Sequence, residues 1–446
     1  MDKKLYPCWQ KGVVGLALAF LALLFIRWVG KSGGMSLFEL LAGMISLALF
    51  IALGLRFVPV LFDFLFPRKI EKLSPNRPLY TAPIFFLALF WAAAHYLLVY
   101  GILHYVNHDL TARDYLDFWR SADAYHYICI ARDWYLSEGE LDRLVQLVFL
   151  PGFPLVLRVF HALLGDYILS GLVCSTLCFC AALCVFYRLA LLDFDEASAR
   201  RAVVLVLLQP GVFFFFAPMS ESLFLLLSVL CVYCSRRKRW WLAGVIGAYA
   251  TFTRSLGLML FVPVFLELDR DQLPAKKKQY MLFAAPLLIP LGFAAYCAVN
   301  YAVAGNPFQF MIYQREHWYQ SIGCFFATPA YQLRYALSAA AAHDSKALFG
   351  LWLPNLLSET AALVLMLLGA RRLRASYTAW AIAYYVIAIG ATWLLSAPRY
   401  MLCLPPLVLS LTACTERRAV RYGLLPLLLA SNLAYLVLFT LRWNVW

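Results

Sequence analysis

Charge is what this chain has least of. Only 14% of its 446 residues are charged, against 63% that are hydrophobic, and the mean hydropathy is +0.74. A chain so poor in polar residues cannot cover a soluble domain with polar surface. It also has no polar stretch long enough to fold as one, no internal repeat and no low-complexity segment. The missing repeat argues against a transporter built from two matched halves. No N-x-[ST] acceptor occurs, which suits a bacterial inner membrane better than the endoplasmic reticulum. The seven histidines are read as lacking the H-x-x-x-H spacing of zinc ligands, so no metal and no cofactor are expected.

What is present is apolar runs of membrane length, repeated from end to end. A run of about 20 residues crosses a hydrocarbon core roughly 30 Å thick. The fold expected is an all-α polytopic membrane bundle of about 13 segments. The net charge of +14 comes from short basic clusters between these runs, such as "PRKIEK", "RRKR", "KKK", "RRLR" and "ERRAVR". That is the pattern of cytoplasmic loops, not a nucleic-acid surface. The partners expected are therefore membrane lipids and no nucleic acid.

Basic flanks put the N-terminus inside, with spans near 13–29, 37–66 and 80–106 and a first outer loop over 107–165. If residues 144–164 crossed the membrane, "RRKR" would fall outside. Pro151, Pro154 and Arg158 instead favour a segment lying along the interface. Spans near 166–190, 201–217 and 219–235 follow. Residues 240–268 have basic clusters at both ends, so two short helices should meet near Thr253, Arg254 and Ser255. Residues 279–303 cross next, then a second outer loop covers 304–345. Spans near 346–370, 376–396, 399–415 and 422–440 bring the C-terminus outside.

This topology gathers rare polar groups at one face: Asp123, Glu221 in "APMSES", Arg254 in "TRS" and Arg399 in "SAPRY". Ionisable residues at membrane depth are costly and commonly functional. An acid facing arginines suggests a base and an anion. Each has a plainer reading. Asp123 can be a loop carboxylate, and His126 a structural histidine on the same helical face. Glu221 can be a helix N-terminal acid, and Arg399 can reach the interface through its own apolar stem. "DFDE", residues 193–196, resembles a metal-binding D-x-D but lies at the other face and reads as a solvated turn.

The stretch "SADAYHYICIARDWY" resembles the first lumenal loop of the second GPI mannosyltransferase, the PIG-V family. "LVFLPGFPLVLRVF", "LQPGVFFFFAPMSESLFLLLS", "ATFTRSLGL" and "SAPRYML" are similar to further segments of that family, in the same order over about residues 117–405. The family's tryptophan directly before the acid is Ala122 here, and Trp119 stands four residues earlier. The resemblance implies a GT-C glycosyltransferase domain over 80–446, preceded by two helices of unassigned role in 1–79. It implies transfer of a sugar, mannose first, from a polyprenyl-phosphate carrier to a lipid or glycan acceptor on the outer face, with inversion and without metal. Asp123 falls on the acidic position as general base, with Trp119, Tyr125, His126, Glu221, Arg254, Arg399 and Tyr400 around the substrates. Relatives of the class use other sugars, including glucose and arabinose.

Overall fold

A computed structural model describes residues 6–31, 33–65, 80–135, 145–268 and 276–445. Among them the chain is helical throughout, and the single β-bridge joins Ile322 to Ala391. Seven helices are long and apolar enough to span a bilayer: Trp9–Lys31, Leu37–Leu65, Ala82–Val106, Tyr167–Ala190, Ala284–Ala304, Ser345–Gly369 and Arg418–Thr440. The architecture is that of a multi-pass membrane protein.

Several of the expected segments are shorter or broken. The run 201–217 is not one helix: Glu196–Leu207 stops before Pro210 and Gly211, whose φ of +84° turns the chain into a 3₁₀ turn at Val212–Phe215. Proline removes a donor there and glycine takes the left-handed turn. At the break the carbonyl of Gln209 accepts from the Val212 amide at 3.2 Å and from Asn432 Nδ2 at 2.7 Å, while Asn432 Oδ1 meets His95 Nε2 at 3.0 Å. Buried backbone groups need such partners. The run 399–415 splits likewise into Ala397–Leu402 and Pro405–Cys414, and the helix expected over 376–396 ends at Ile389. The segment expected as a second outer loop holds the helices Gln309–His317 and Ala327–Ala341, and the latter packs on Leu37–Leu65.

Gly152–Leu164 is an amphipathic helix of 13 residues, about 20 Å long and too short to span, with Phe153 and Leu157 buried and Leu163 exposed. Trp240–Thr253 ends at an extended Arg254, after which a 3₁₀ turn, Ser255–Leu260, leads into Phe261–Leu266. Small residues set its packing. A Cβ on Gly244 would sit 2.2 Å from the carbonyl of Ala285, and one on Gly292 1.8 Å from that of Ala248. Without a hydrophobic drive between helices in lipid, such close backbone approach supplies the association.

Polar side chains staple one end of the bundle. Arg236, at the end of Glu221–Arg236, forms a fork on Asp193 at 2.7 and 3.0 Å, and the Tyr377 hydroxyl donates to the same carboxylate at 2.9 Å. Arg374 grips Glu267 at 2.6 and 2.9 Å, and Ser376 donates to Glu267 as well. The "DFDE" turn is thus not merely solvated: Asp193 ties the Tyr167–Ala190 end to two other helices. Asp193→Ala is expected to cost about 1–3 kcal/mol of stability and to leave sugar transfer per folded molecule unchanged. A thermal unfolding series in detergent, paired with a transfer assay, checks both, and an unshifted midpoint would dismiss the staple.

Candidate active site

Glu221–Arg236 is about 22 Å long at the helical rise, and its other end carries the second charged cluster. Four interruptions of helical structure meet there: the starts of Asp123–Asp133, Glu221–Arg236 and Ala397–Leu402, and the gap at Arg254. Both acids are the first residue of their helix, where the positive end of the helix dipole favours a carboxylate. Ala122 enters the Asp123 helix with φ of +51°, a conformation uncommon for a residue with a Cβ. Such strain costs of order 1–3 kcal/mol and persists only where the surroundings enforce it. Here it sets the direction in which Asp123 leaves the backbone.

Glu221 is the hub. Its Oε1 accepts from Arg399 Nε at 2.9 Å, Arg399 Nη2 at 2.5 Å and Arg254 Nη1 at 2.7 Å. Arg399 Nη2 also donates to Asp123 Oδ2 at 2.6 Å. Two acids and two arginines make a neutral set, as burial requires. The acids differ in access: the Glu221 side chain is 0% exposed and that of Asp123 is 34% exposed. Around them, Arg254 lies over the rings of Tyr400 and Phe224, and Arg399 over Phe214. Arg254 Nη1 serves both Ser220 and Glu221, while its Nε and Nη2 make no hydrogen bond among the described residues.

Residues not foreseen in the sequence support this set. Ser220 Oγ bonds the Tyr127 hydroxyl at 2.8 Å, joining the Asp123 helix to the Glu221 helix. Tyr384 donates to the Tyr400 carbonyl at 3.0 Å. Arg158, on the amphipathic helix, donates to the carbonyls of Ala131 and Ile130 at 2.5 and 3.3 Å, closing the C-terminal end of Asp123–Asp133. A cation is favoured at that end of a helix. Tyr127 and Arg158 both stand in motifs already singled out, but their spacing carries no sign of their partners.

The structure does not bring every expected residue to the cluster in the same way. Tyr125 is about half exposed beside it. His126 lies flat on Phe149, with ring centroids 4.5 Å apart. Burial pulls His126 below the usual histidine range, and the nearby Asp123 charge opposes that pull in part. Trp119 is 1% exposed, enclosed by Tyr96, Tyr115, Phe118 and Phe439, so neither ring face is open to a sugar. It braces the loop in front of Asp123 instead. Arg442 secures the same loop by donating to the Phe118 carbonyl at 3.0 Å, which sets the end of Arg418–Thr440 beside it.

His104 and His108 do have the H-x-x-x-H spacing of zinc ligands, contrary to the reading that the histidines lack it. Their rings meet edge to face at 5.9 Å, and no group of three or more metal-ligating side chains occurs among the described residues.

Residues 109–287 match the family model described as Mannosyltransferase (PIG-V). The matched region takes in Asp123, Glu221 and Arg254 and stops before Arg399. No curated protein and no solved structure matches the chain.

Proposed function

We propose that this chain, whose residues 109–287 match the Mannosyltransferase (PIG-V) family model, is a glycosyltransferase that moves mannose from a polyprenyl-phosphate carrier to a hydroxyl of a lipid-linked or glycan acceptor. The acceptor oxygen attacks the anomeric carbon, the bond from that carbon to the phosphate oxygen breaks on the opposite face, and the configuration inverts. The acceptor's proton goes to Asp123 and the bond's electron pair leaves on the phosphate. The observation that carries this reading is the contrast between two acids in one cluster. Glu221 is fully buried and its Oε1 takes both arginines, whereas Asp123 is partly open and bonded to Arg399 alone of the two. Arg399 orients that carboxylate through Oδ2, leaving Oδ1 to take the proton. Glucose or arabinose carriers would meet the same groups, so the sugar is settled by assay. Purified protein incubated with labelled polyprenyl-phosphate mannose, glucose and arabinose, followed by product identification, tests the reading. Absence of transfer from all three carriers to any lipid or glycan fraction would remove it.

Arg254 is the donor-phosphate cation in this scheme, because its spare N–H groups lie beside the aromatic walls and guanidinium binds phosphate in a fork. Arg254→Ala should raise the apparent KM for the carrier by about tenfold or more, the loss of one charge-assisted contact. Arg254→Lys should recover only part of it, since the fork is gone. An unchanged KM in both variants would take Arg254 out of the phosphate site.

We place this site at the outer face of a bacterial inner membrane, on the strength of the basic clusters at the far end of the bundle. The domain that performs the chemistry is 80–446. Single cysteines placed after Trp446 and in the "KKK" loop, in a cysteine-free background, report the orientation in intact cells. An impermeant maleimide should label the first and spare the second; the reverse pattern would invert the topology.

A further inference from the structure

A second group of buried polar side chains lies away from the ion cluster. Glu359, in the apolar helix Ser345–Gly369, is 1% exposed, and neither carboxyl oxygen has a hydrogen-bond partner among the described residues. Ser46 Oγ and the Tyr385 hydroxyl are buried too; they lie near enough to interact with each other, and neither has another partner among the described residues. All three line one cavity of about 400 Å³, and its remaining walls are largely apolar, with Leu41, Leu49 and Leu333 among them. The three groups come from three helices: Leu37–Leu65, Ser345–Gly369 and Ala375–Ile389.

An unpaired buried polar group costs about 1–3 kcal/mol, and a carboxyl at membrane depth is functional by default. A carboxyl with no partner and two neighbouring hydroxyls converging on one space are explained by an occupant that bonds them. Its chemistry follows from theirs. An ionised Glu359 would call for a cation, but the arginine on the adjoining helix, Arg334, is taken by Glu39 at 3.4 Å. As neutral groups, a carboxylic acid, a phenol and an alcohol are three O–H donors. They suit acceptor oxygens without charge. The leucine-rich walls suit a hydrocarbon chain, and the cavity reaches the flank of Leu37–Leu65 where Phe38 and Ile45 are exposed.

We propose that this cavity binds a neutral glycerolipid, one acyl chain filling the apolar part while ester or hydroxyl oxygens accept hydrogen bonds from Glu359, Ser46 and Tyr385. The site gives the otherwise unassigned second helix a task. It also adjoins the support of Arg399: Asn355, one helical turn before Glu359, donates to the Leu395 carbonyl at 3.1 Å and accepts from the Ala397 amide at 2.5 Å. The proposal stands independently of the sugar and carrier assigned above.

The test uses full-length protein in detergent and a diazirine-bearing analogue of dioleoylglycerol, with labelled peptides mapped after digestion. Label is expected on 37–65 and 345–369, displaced by excess dioleoylglycerol and not by oleylamine. Glu359→Leu, which replaces an unpaired acid by an apolar side chain, should fold and lose labelling by about tenfold. Glu359→Gln, which still donates, should stay within about threefold of the parent. Equal labelling of the leucine variant, or label confined to other helices, would overturn the site. Displacement by oleylamine alone would overturn the neutral lipid in favour of a cationic ligand. If the leucine variant does not accumulate, Tyr385→Phe with Ser46→Ala removes two of the three donors and must weaken labelling for the proposal to stand.

Discussion

Asp123→Asn is expected to lower sugar transfer by at least about 10²-fold, with no loss of folded protein and with carrier binding retained. The amide keeps the shape of the carboxyl and can still accept from Arg399, which donates to Asp123 at 2.6 Å. It cannot take the acceptor's proton. The stability of the variant follows from exposure: about a third of the Asp123 side chain reaches solvent, so a lost charge there is compensated by water more readily than inside the cluster. Asp123→Glu should retain a trace of turnover, because the base survives at the wrong reach and small displacements of reacting groups are costly. Single-turnover measurements with an authenticated carrier and acceptor decide the matter. Near-normal turnover in Asp123→Asn would end the general-base assignment.

Glu221→Leu should do something different in kind, destabilising the protein by about 3–5 kcal/mol. It removes the one carboxylate that accepts from both Arg254 and Arg399, leaving two guanidinium groups enclosed beside one another with only Asp123 and Ser220 to meet them. Glu221→Gln keeps an acceptor at the same place and should lose less. The check is the folded fraction on size-exclusion chromatography across a temperature series, for the two Glu221 variants beside Asp123→Asn. A leucine variant as stable as the parent would mean that the cluster is not what joins these helices. The pair of experiments separates an acid that reacts from an acid that holds.

Much of this arrangement was legible from residue types. An ionisable group in an apolar chain is rare enough to be conspicuous, so Asp123, Glu221, Arg254 and Arg399 could be picked out one by one. The break at Arg254 was legible because basic clusters at both ends of 240–268 demand a return. The break at Gly211 and the split at Leu404 were not, although Pro210, Pro405 and Pro406 stand there. A hydropathy pattern registers composition over a window and passes over a single left-handed glycine or a proline pair. Trp119 was misplaced for a related reason: an aromatic beside an acid suits a sugar face or a brace equally well, and only its neighbours Tyr96 and Phe439 distinguish the two.

The sequence by itself determined that this chain is helical, lies in a membrane and resembles a mannosyltransferase family, because hydropathy, basic clusters and motif order are local properties. Tertiary structure alone decided which acid is open and which is enclosed. Asp123 and Arg399 are 276 residues apart in the chain, and Glu221 and Arg399 are 178 apart. Whether a carboxylate meets water or two guanidinium groups depends on how the ends of separate helices pack, and no one of those helices carries that information in its own composition.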